Sequence, residues 1–267
     1  MKIVVAHSAK GGTGKTTLTT NIAKSLLEKG QKVALLDFDV TGPSFNFLFP
    51  PGEKEPKFFN DFLTDSKLTI DDILISRPIS KDGKEVLNII YSNPAPSSSE
   101  VYKQLQKILA MPPQVLVPRV KKLMFELAKK GFDVLLIDNA AGVNQISLIP
   151  LMFANFAFII LRPNIYGQAG TKSILNEAYV KLQGIGSQKK HLYLVLNFIP
   201  ENASEKASTI IEDLINEYEE TFNTPVIDTF NCYCQSWEPE VQGNIWFPKE
   251  STAAKKVCGI TEEIIKS

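Results

Sequence analysis

A nine-residue segment carries the clearest chemical signal in the chain. It reads AKGGTGKTT at residues 9–17, after a short apolar run and before a pattern typical of a helix. Its three glycines let the backbone wrap closely around an anion, with amide N–H groups at a helix N-terminus pointing toward it. Lys15 can reach the β- and γ-phosphates of a nucleotide, and the Thr16 hydroxyl can bind Mg²⁺. The segment predicts a phosphate-binding loop, although Ala9 stands where the general GxxxxGK[ST] pattern requires glycine.

Two further apolar runs end in carboxylates. LLDFDVTGPS contains Asp37 and Asp39, which point to the same side of an extended backbone because they are two residues apart. FDVLLIDNAAG contains Asp138 at the end of a hydrophobic strand, where a carboxylate can hold Mg²⁺ through water. For Asp37 and Asp39 the alternative is that both only cap the turn that follows.

Elements that could position these residues are visible as apolar runs alternating with amphipathic stretches. We predict strands at 3–7, 33–38, 86–91, 134–138, 156–161 and 192–197, and helices at 15–29, 115–130, 168–183 and 205–222. Apolar runs without alternation are typical of parallel strands covered on both faces. The pattern predicts an α/β fold with a mostly parallel twisted sheet and helices on both faces, formed by residues 1–267 as a single domain. Residues 50–62 and 92–99 are predicted to be surface loops.

Composition narrows the class of protein. The chain has 267 residues, and 29 basic side chains balance 29 acidic ones, which argues against a general affinity for nucleic acid or anionic membranes. It contains no apolar run long enough for a transmembrane helix and no recognisable signal peptide, so we expect a cytoplasmic protein. Three cysteines without a secretory signal predict free thiols. His7 and His191 are expected to be structural or surface residues.

The motifs together resemble a known family. KGGTGKTT at residues 10–17 resembles the deviant Walker A motif of the MinD/ParA/Mrp group of P-loop ATPases. LLDFDVTGPS is similar to that family's switch I motif, and FDVLLIDNAAG to its Walker B strand. Asn197 ends the run LYLVLN, where the family has an asparagine whose amide reads the adenine edge; a lone asparagine there is also a common turn former. The resemblance covers nearly the whole chain, including a C-terminal helix at 252–265.

The resemblance implies a role for each of these residues. Lys10 would reach across a nucleotide-sandwich dimer to the phosphates of the partner, Asp37 would support the metal shell, and Asp39 would position the attacking water. The implied catalytic residues are Lys10, Lys15 and Asp39. The implied nucleotide-binding residues are Lys10, Gly11, Gly12, Thr13, Gly14, Lys15, Thr16, Thr17, Gly142 and Asn197. The implied Mg²⁺ site consists of Thr16, Asp37 and Asp138, with the carboxylates acting through water. The family usually continues its Walker B strand with Pro-Pro-Gly, whereas this chain has Asn139-Ala140-Ala141 before Gly142.

The function implied is that of an Mg²⁺-dependent ATPase that hydrolyses ATP to ADP and phosphate. It would act as a nucleotide-switched homodimer in the intracellular positioning, partitioning or assembly of an unidentified activating or cargo protein. One alternative is a ParA-type DNA-segregation ATPase, which is disfavoured because the lysine pairs of this neutral chain have acidic neighbours. Another is an iron–sulfur or metal-cluster carrier using Cys232 and Cys234, although two small buried side chains are the simpler interpretation. The C-terminal sequence ITEEIIKS offers little apolar area for a membrane anchor.

Overall fold

A computed structural model describes residues 1–52, 57–80, 83, 85–94, 99–175, 190–200, 204–222, 224–232 and 245–267. The strands are β1 Lys2–His7, β2 Val33–Asp37, β3 Leu74–Pro78, β4 Val86–Ile90, β5 Val134–Asp138, β6 Phe156–Leu161, β7 His191–Ile199 and β8 Val226–Asn231. The helices are α1 Lys15–Glu28, α2 Phe45–Leu48, α3 Phe59–Thr64, α4 Ile70–Ile73, α5 Ser99–Leu109, α6 Pro113–Lys129, α7 Gln145–Phe153, α8 Ile165–Ile174, α9 Glu205–Phe222 and α10 Thr252–Lys266.

The eight strands form one twisted sheet in the order β3-β4-β2-β5-β1-β6-β7-β8. Neighbouring strands are parallel except β3, which runs antiparallel to β4 at the edge. Successive side chains of a strand point to opposite faces, so Val5 and Leu36 join one buried apolar cluster while Val4 and Leu35 join another. Both faces of the central strands are therefore covered, and the predicted α/β fold is confirmed.

Most predicted elements coincide with observed ones, and the clearest is the helix after the glycine-rich segment. It ends at Glu28, and Gly30 follows with a φ of 78°. The N–H of Gln31 then bonds to the carbonyl of Leu26 at 3.0 Å, which satisfies one of the carbonyls that a helix C-terminus leaves open. Glycine is favoured there because a side chain would strain the left-handed backbone.

The structure corrects the end of the surface loop predicted at 50–62 and shortens the loop predicted at 92–99 by one residue, while residues 53–56 and 95–98 lie outside the described residues. Helix α3 begins at Phe59, and its phenyl ring and that of Phe62 are buried. The Asp61 carboxylate accepts the N–H of Phe58 at 2.8 Å and so closes the first turn of this helix. Likewise α5 begins at Ser99. The helix predicted at 168–183 begins earlier, at Ile165, and residues 176–189 lie outside the described residues.

The expectation of free thiols is wrong for Cys232, which is disulfide-bonded. Cys258 is free, and Cys234 lies outside the described residues. Residue types alone did not indicate this, because disulfide formation depends on backbone geometry around both sulfurs. Among the described residues no helix is long and apolar enough to cross a membrane.

Candidate functional site

The glycine loop, residues 8–14, connects the carboxyl end of β1 to the first turn of α1. Gly12 and Gly14 adopt left-handed backbone conformations, with φ of 72° and 88°. Gly14 is the N-cap of α1 and has no side chain to occupy the amide groups of the first turn, which also contains no acidic residue. The positive end of the helix dipole is thus directed at the loop, an arrangement suited to an anion. Of the predicted nucleotide-binding residues, the loop holds Lys10, Gly11, Gly12, Thr13 and Gly14, and the first turn of α1 holds Lys15, Thr16 and Thr17.

Lys15 is held against the loop by Ser8, a residue that the sequence pattern did not single out. The Lys15 ammonium donates to Ser8 Oγ at 3.0 Å, and the same hydroxyl donates to the carbonyl of Lys10 at 2.6 Å. Burial lowers the pKa of Lys15, whereas the nearby charges of Asp138 and Asp39 raise it. One buried serine therefore contacts both the loop backbone and this ammonium.

Asp37 and Asp138 lie side by side because β2 and β5 are paired in register at these two residues. Asp138 Oδ2 accepts the hydroxyl of Thr16 at 2.6 Å, and Asp138 Oδ1 is buried without a hydrogen-bond partner in the part of the chain that is described. Burial, followed by the charge of Asp138, raises the pKa of Asp37 to about 8. Burial also raises the pKa of Asp138 to about 6. The three residues predicted to surround Mg²⁺ are thus brought together, and the two carboxyl groups favour either protons or a cation.

Asp37 and Asp39 also cap the turn that follows β2. Asp37 Oδ2 accepts the N–H groups of Ser44 and Phe45 at 2.9 and 3.1 Å. Asp39 Oδ1 accepts the N–H and hydroxyl of Thr41 at 3.1 and 2.6 Å. The capping interpretation left open by the sequence therefore describes real contacts, and these contacts fix the orientation of both carboxylates beside the glycine loop.

Asn197 contacts the glycine loop from β7. Its amide nitrogen donates to the carbonyl of Thr13 at 2.8 Å, and its amide oxygen accepts the N–H of Phe198 at 2.9 Å. A Cβ placed on Gly14 would lie 2.2 Å from this amide nitrogen and would displace it, and the φ of 88° also favours glycine at this position. The space between Asn197, α1 and the stacked rings of Phe230 and Phe247 has a volume of about 20 Å³, which admits water but no purine ring.

Gly142 and Lys10 complete the set of predicted residues. Gly142 has a φ of 83°, and its N–H donates to the carbonyl of Ser8 at 2.9 Å, which places the segment after β5 against the glycine loop. The Lys10 side chain is exposed, and its ammonium lies over the Tyr166 ring, 5.0 Å from the ring centre. Tyr166 was not predicted, because only the fold brings the start of α8 beside the loop.

Comparisons with known proteins agree with this geometry. The model of the AAA_31 family, described as an AAA domain, matches residues 1–191. The chain belongs to this family. The septum site-determining protein MinD of Neisseria meningitidis serogroup B is 28% identical over 222 residues, which cover 80% of this chain and 73% of that protein. The iron-sulfur cluster carrier protein of Aquifex aeolicus is 26% identical over 188 residues, covering 68% of this chain and 46% of that protein.

A solved structure extends the similarity to the fold of the whole chain. The septum site-determining protein MinD from Pyrococcus horikoshii OT3, complexed with Mg-ADP, superposes with a TM-score of 0.71 at 20% identity. The superposition covers 99% of this chain and 96% of that chain. The resemblance to the MinD/ParA/Mrp group is confirmed by these matches.

The paired carboxyl groups predict an unusual dependence of stability on pH in the absence of divalent cations. The folded state keeps the Asp37 proton up to a pKa of about 8, whereas the unfolded chain releases it near pH ~4. Between these values the folded state binds more protons, so the free energy of unfolding contributed by this group falls as pH rises. An asparagine side chain does not ionise. We expect the stability of Asp37→Asn relative to wild type to increase from pH 5 to pH 8, approaching ~1 kcal/mol per pH unit.

Urea denaturation in EDTA at each pH measures this difference. Asp65→Asn is a suitable control because Asp65 is exposed on the turn after α3. Parallel pH profiles for wild type and Asp37→Asn would show that the buried carboxyl does not carry the raised pKa.

The contact between Gly14 and Asn197 predicts a large cost for one added methyl group. Gly14→Ala combines a clash at 2.2 Å with a positive φ, so we expect it to lower the free energy of unfolding by about 2 kcal/mol or more. Gly259→Ala in α10 meets nothing within 4 Å and is expected to be neutral or stabilising. Chemical denaturation compares the two variants. If Asn197→Ala does not restore part of the stability lost in Gly14→Ala, the cost does not arise from this contact.

Proposed function

We propose that this protein is an Mg²⁺-dependent ATPase that acts as a nucleotide-switched homodimer. The observation that carries the proposal is the convergence of Lys15, Thr16, Asp37, Asp39 and Asp138 on the glycine loop at the carboxyl ends of β1, β2 and β5. Ligands of open α/β sheets bind at this edge. Residues 1–267 would form one nucleotide-binding domain in the cytoplasm.

The residues present fit a magnesium ion. Mg²⁺ prefers oxygen ligands, and the site offers the Thr16 hydroxyl together with two buried carboxylates. The buried Oδ1 of Asp138 has no hydrogen-bond partner in the described residues, so the site holds an oxygen that a hydrated cation would satisfy. When bound, Mg²⁺ would neutralise charge on the phosphates of the nucleotide. Thr16 would hold it directly, and Asp37 and Asp138 would hold it through water.

Each remaining side chain has a role that follows from its position. The Lys15 ammonium lies inside the glycine loop, where it would contact the β- and γ-phosphates in place of Ser8. Asp39 presents its carboxylate on the turn after β2 and would orient the water that attacks the γ-phosphate. For Asn197 to contact the adenine base, its bond to Thr13 would be exchanged and the space of about 20 Å³ beside it would widen.

A second copy of the chain would complete the site. Lys10 is exposed and forms no ion pair to an acidic residue among those described. Three exposed apolar side chains belong to segments that border the site, namely Phe47 after β2, Val143 after β5 and Tyr166 after β6, with exposures of 75%, 44% and 69%. These side chains are available for contact with a second copy of the chain. The Lys10 ammonium of one copy would stabilise the γ-phosphate charge held by the other.

Similarity to MinD proteins supports a role in positioning or assembling a partner, whose identity depends on surfaces outside this site. The DNA-segregation alternative receives less support, because Lys122 pairs with Glu126, and Lys130 with Asp71. The metal-cluster alternative also receives less support, because Cys232 forms a disulfide and offers no thiolate in this state.

Two variants test the dimer mechanism in opposite directions. Lys10→Ala leaves the loop amides and Lys15 intact, so we expect ATP affinity within about tenfold, ~1.4 kcal/mol, of wild type but loss of ATP-dependent dimerisation and of most turnover. Asp39→Ala keeps Lys10 but cannot orient water, so we expect a stable ATP-bound dimer without turnover. Light scattering with ATP, together with phosphate release, measures both properties.

Lys129→Ala is the matched control because it removes the same charge at the end of α6, before the amino end of β5. It should dimerise and turn over ATP like wild type. A dimeric Lys10→Ala, or an Asp39→Ala that stays monomeric with ATP, would contradict the sandwich mechanism.

A further inference from the structure

His7 and Asn139 form a buried pair between the strand that enters the glycine loop and the segment that follows Asp138. His7 is the last residue of β1, Asn139 directly follows β5, and both side chains are fully buried. The amide nitrogen of Asn139 lies 3.1 Å from His7 Nδ1. It also donates to the carbonyl of Ser147 in α7 at 2.7 Å. One amide thus connects β1 to the first turn of α7.

The direction of this hydrogen bond follows from the Asn139 amide nitrogen, which can only donate. Burial, followed by the positive charge of Lys15, lowers the pKa of His7 to about 3. A neutral imidazole has one acceptor nitrogen, so Nδ1 accepts the hydrogen bond that the Asn139 amide donates. His7 therefore contacts the segment after β5 through a hydrogen bond of fixed direction.

Backbone hydrogen bonds join the same two parts of the chain on either side of the pair. The N–H of Asn139 donates to the carbonyl of Ala6 at 3.1 Å, and the N–H of Gly142 donates to the carbonyl of Ser8 at 2.9 Å. The hydroxyl oxygen of Ser8 in turn accepts a hydrogen bond from the Lys15 ammonium. A change in the position of Lys15 on binding a phosphate therefore acts on Ser8, which neighbours His7 and already holds Gly142.

We infer that His7 and Asn139 are positioning residues that couple the glycine loop to residues 139–147, so that the segment carrying Gly142 responds when the loop binds nucleotide. Directional hydrogen bonds in a buried site allow few alternative arrangements of the side chains. The pair is therefore a physical link between the glycine loop and residues 139–147, which is more than a position between them. Ala140 and Ala141 have no polar side-chain atoms, so their own side chains offer the loop no such bond. Measuring the effect of this coupling on ATP turnover rests on the proposed ATPase function.

Amide hydrogen exchange at residues 139–147, with and without Mg·ADP, tests the coupling without requiring hydrolysis. In wild type we expect Mg·ADP to slow exchange in this segment. His7→Leu removes the acceptor, so this nucleotide-dependent protection should fall on the order of 2- to 30-fold while Mg·ADP affinity stays within about threefold. His7→Asn should retain the protection, because its amide oxygen can accept the hydrogen bond in place of Nδ1.

Leu127→Ala is the control for a loss of stability alone. Leu127 is fully buried in α6 and forms no part of the pair, so this variant should lower the unfolding temperature but keep the nucleotide-dependent protection. In ATP turnover, His7→Leu should lower kcat with little change in KM, and His7→Asn should restore kcat.

Three results would overturn the inference: full protection in His7→Leu, equal loss in His7→Asn and His7→Leu, or equal loss in Leu127→Ala. A wild-type chain that binds Mg·ADP without a change in exchange at 139–147 would overturn it as well. A chain that shows this coupling but does not hydrolyse ATP would support the inference and contradict only the proposed function.

Discussion

Two carboxyl groups, Asp37 and Asp138, are buried next to each other at the carboxyl ends of adjacent strands, and this constraint determines the rest of the site. Two negative charges in such a place are unfavourable unless protons, hydrogen bonds or a cation offset them. The structure offsets part of the charge with the N–H groups of Ser44 and Phe45 and with the Thr16 hydroxyl. The negative charge that is not offset favours a divalent cation beside a loop already arranged to accept phosphate.

The parallel sheet makes this arrangement possible. Parallel strands require helical crossovers, so the carboxyl ends of β1, β2 and β5 meet at one edge while helices cover both faces. Close packing then allows little freedom near the loop. Glycine is favoured at residue 14 by a φ of 88° and by the Asn197 amide in the space of a Cβ, and a Cβ on Gly170 would lie 2.8 Å from that of Ala9. Ala9 itself, the departure from the general loop pattern, therefore lies at a packed contact between the loop and α8.

The sequence predicted the parts of this structure that are encoded locally. Unbroken apolar runs indicated the central strands, and the carboxylates at their ends indicated where a cation site would form. Residues whose partners belong to other elements of the fold escaped prediction. Ser8 matters because Lys15 and Gly142 bond to it. Tyr166 matters because the Lys10 ammonium lies over its ring. His7 was expected to be structural or at the surface, but its bond to Asn139 depends on the pairing of β1 with β5. Likewise, no local pattern showed that the Asn197 amide bonds to Thr13.

The central claim is that the buried carboxyl pair forms a cation site for a bound nucleotide, and thermal unfolding with ADP tests it most directly. A ligand that binds only the folded state raises the unfolding temperature according to its affinity. We expect Mg·ADP to raise this temperature more than ADP with EDTA does. Asp138→Asn should abolish most of this difference and should leave the shift caused by ADP with EDTA unchanged. Equal shifts with and without Mg²⁺ in the wild type, or an undiminished Mg²⁺ effect in Asp138→Asn, would contradict the account.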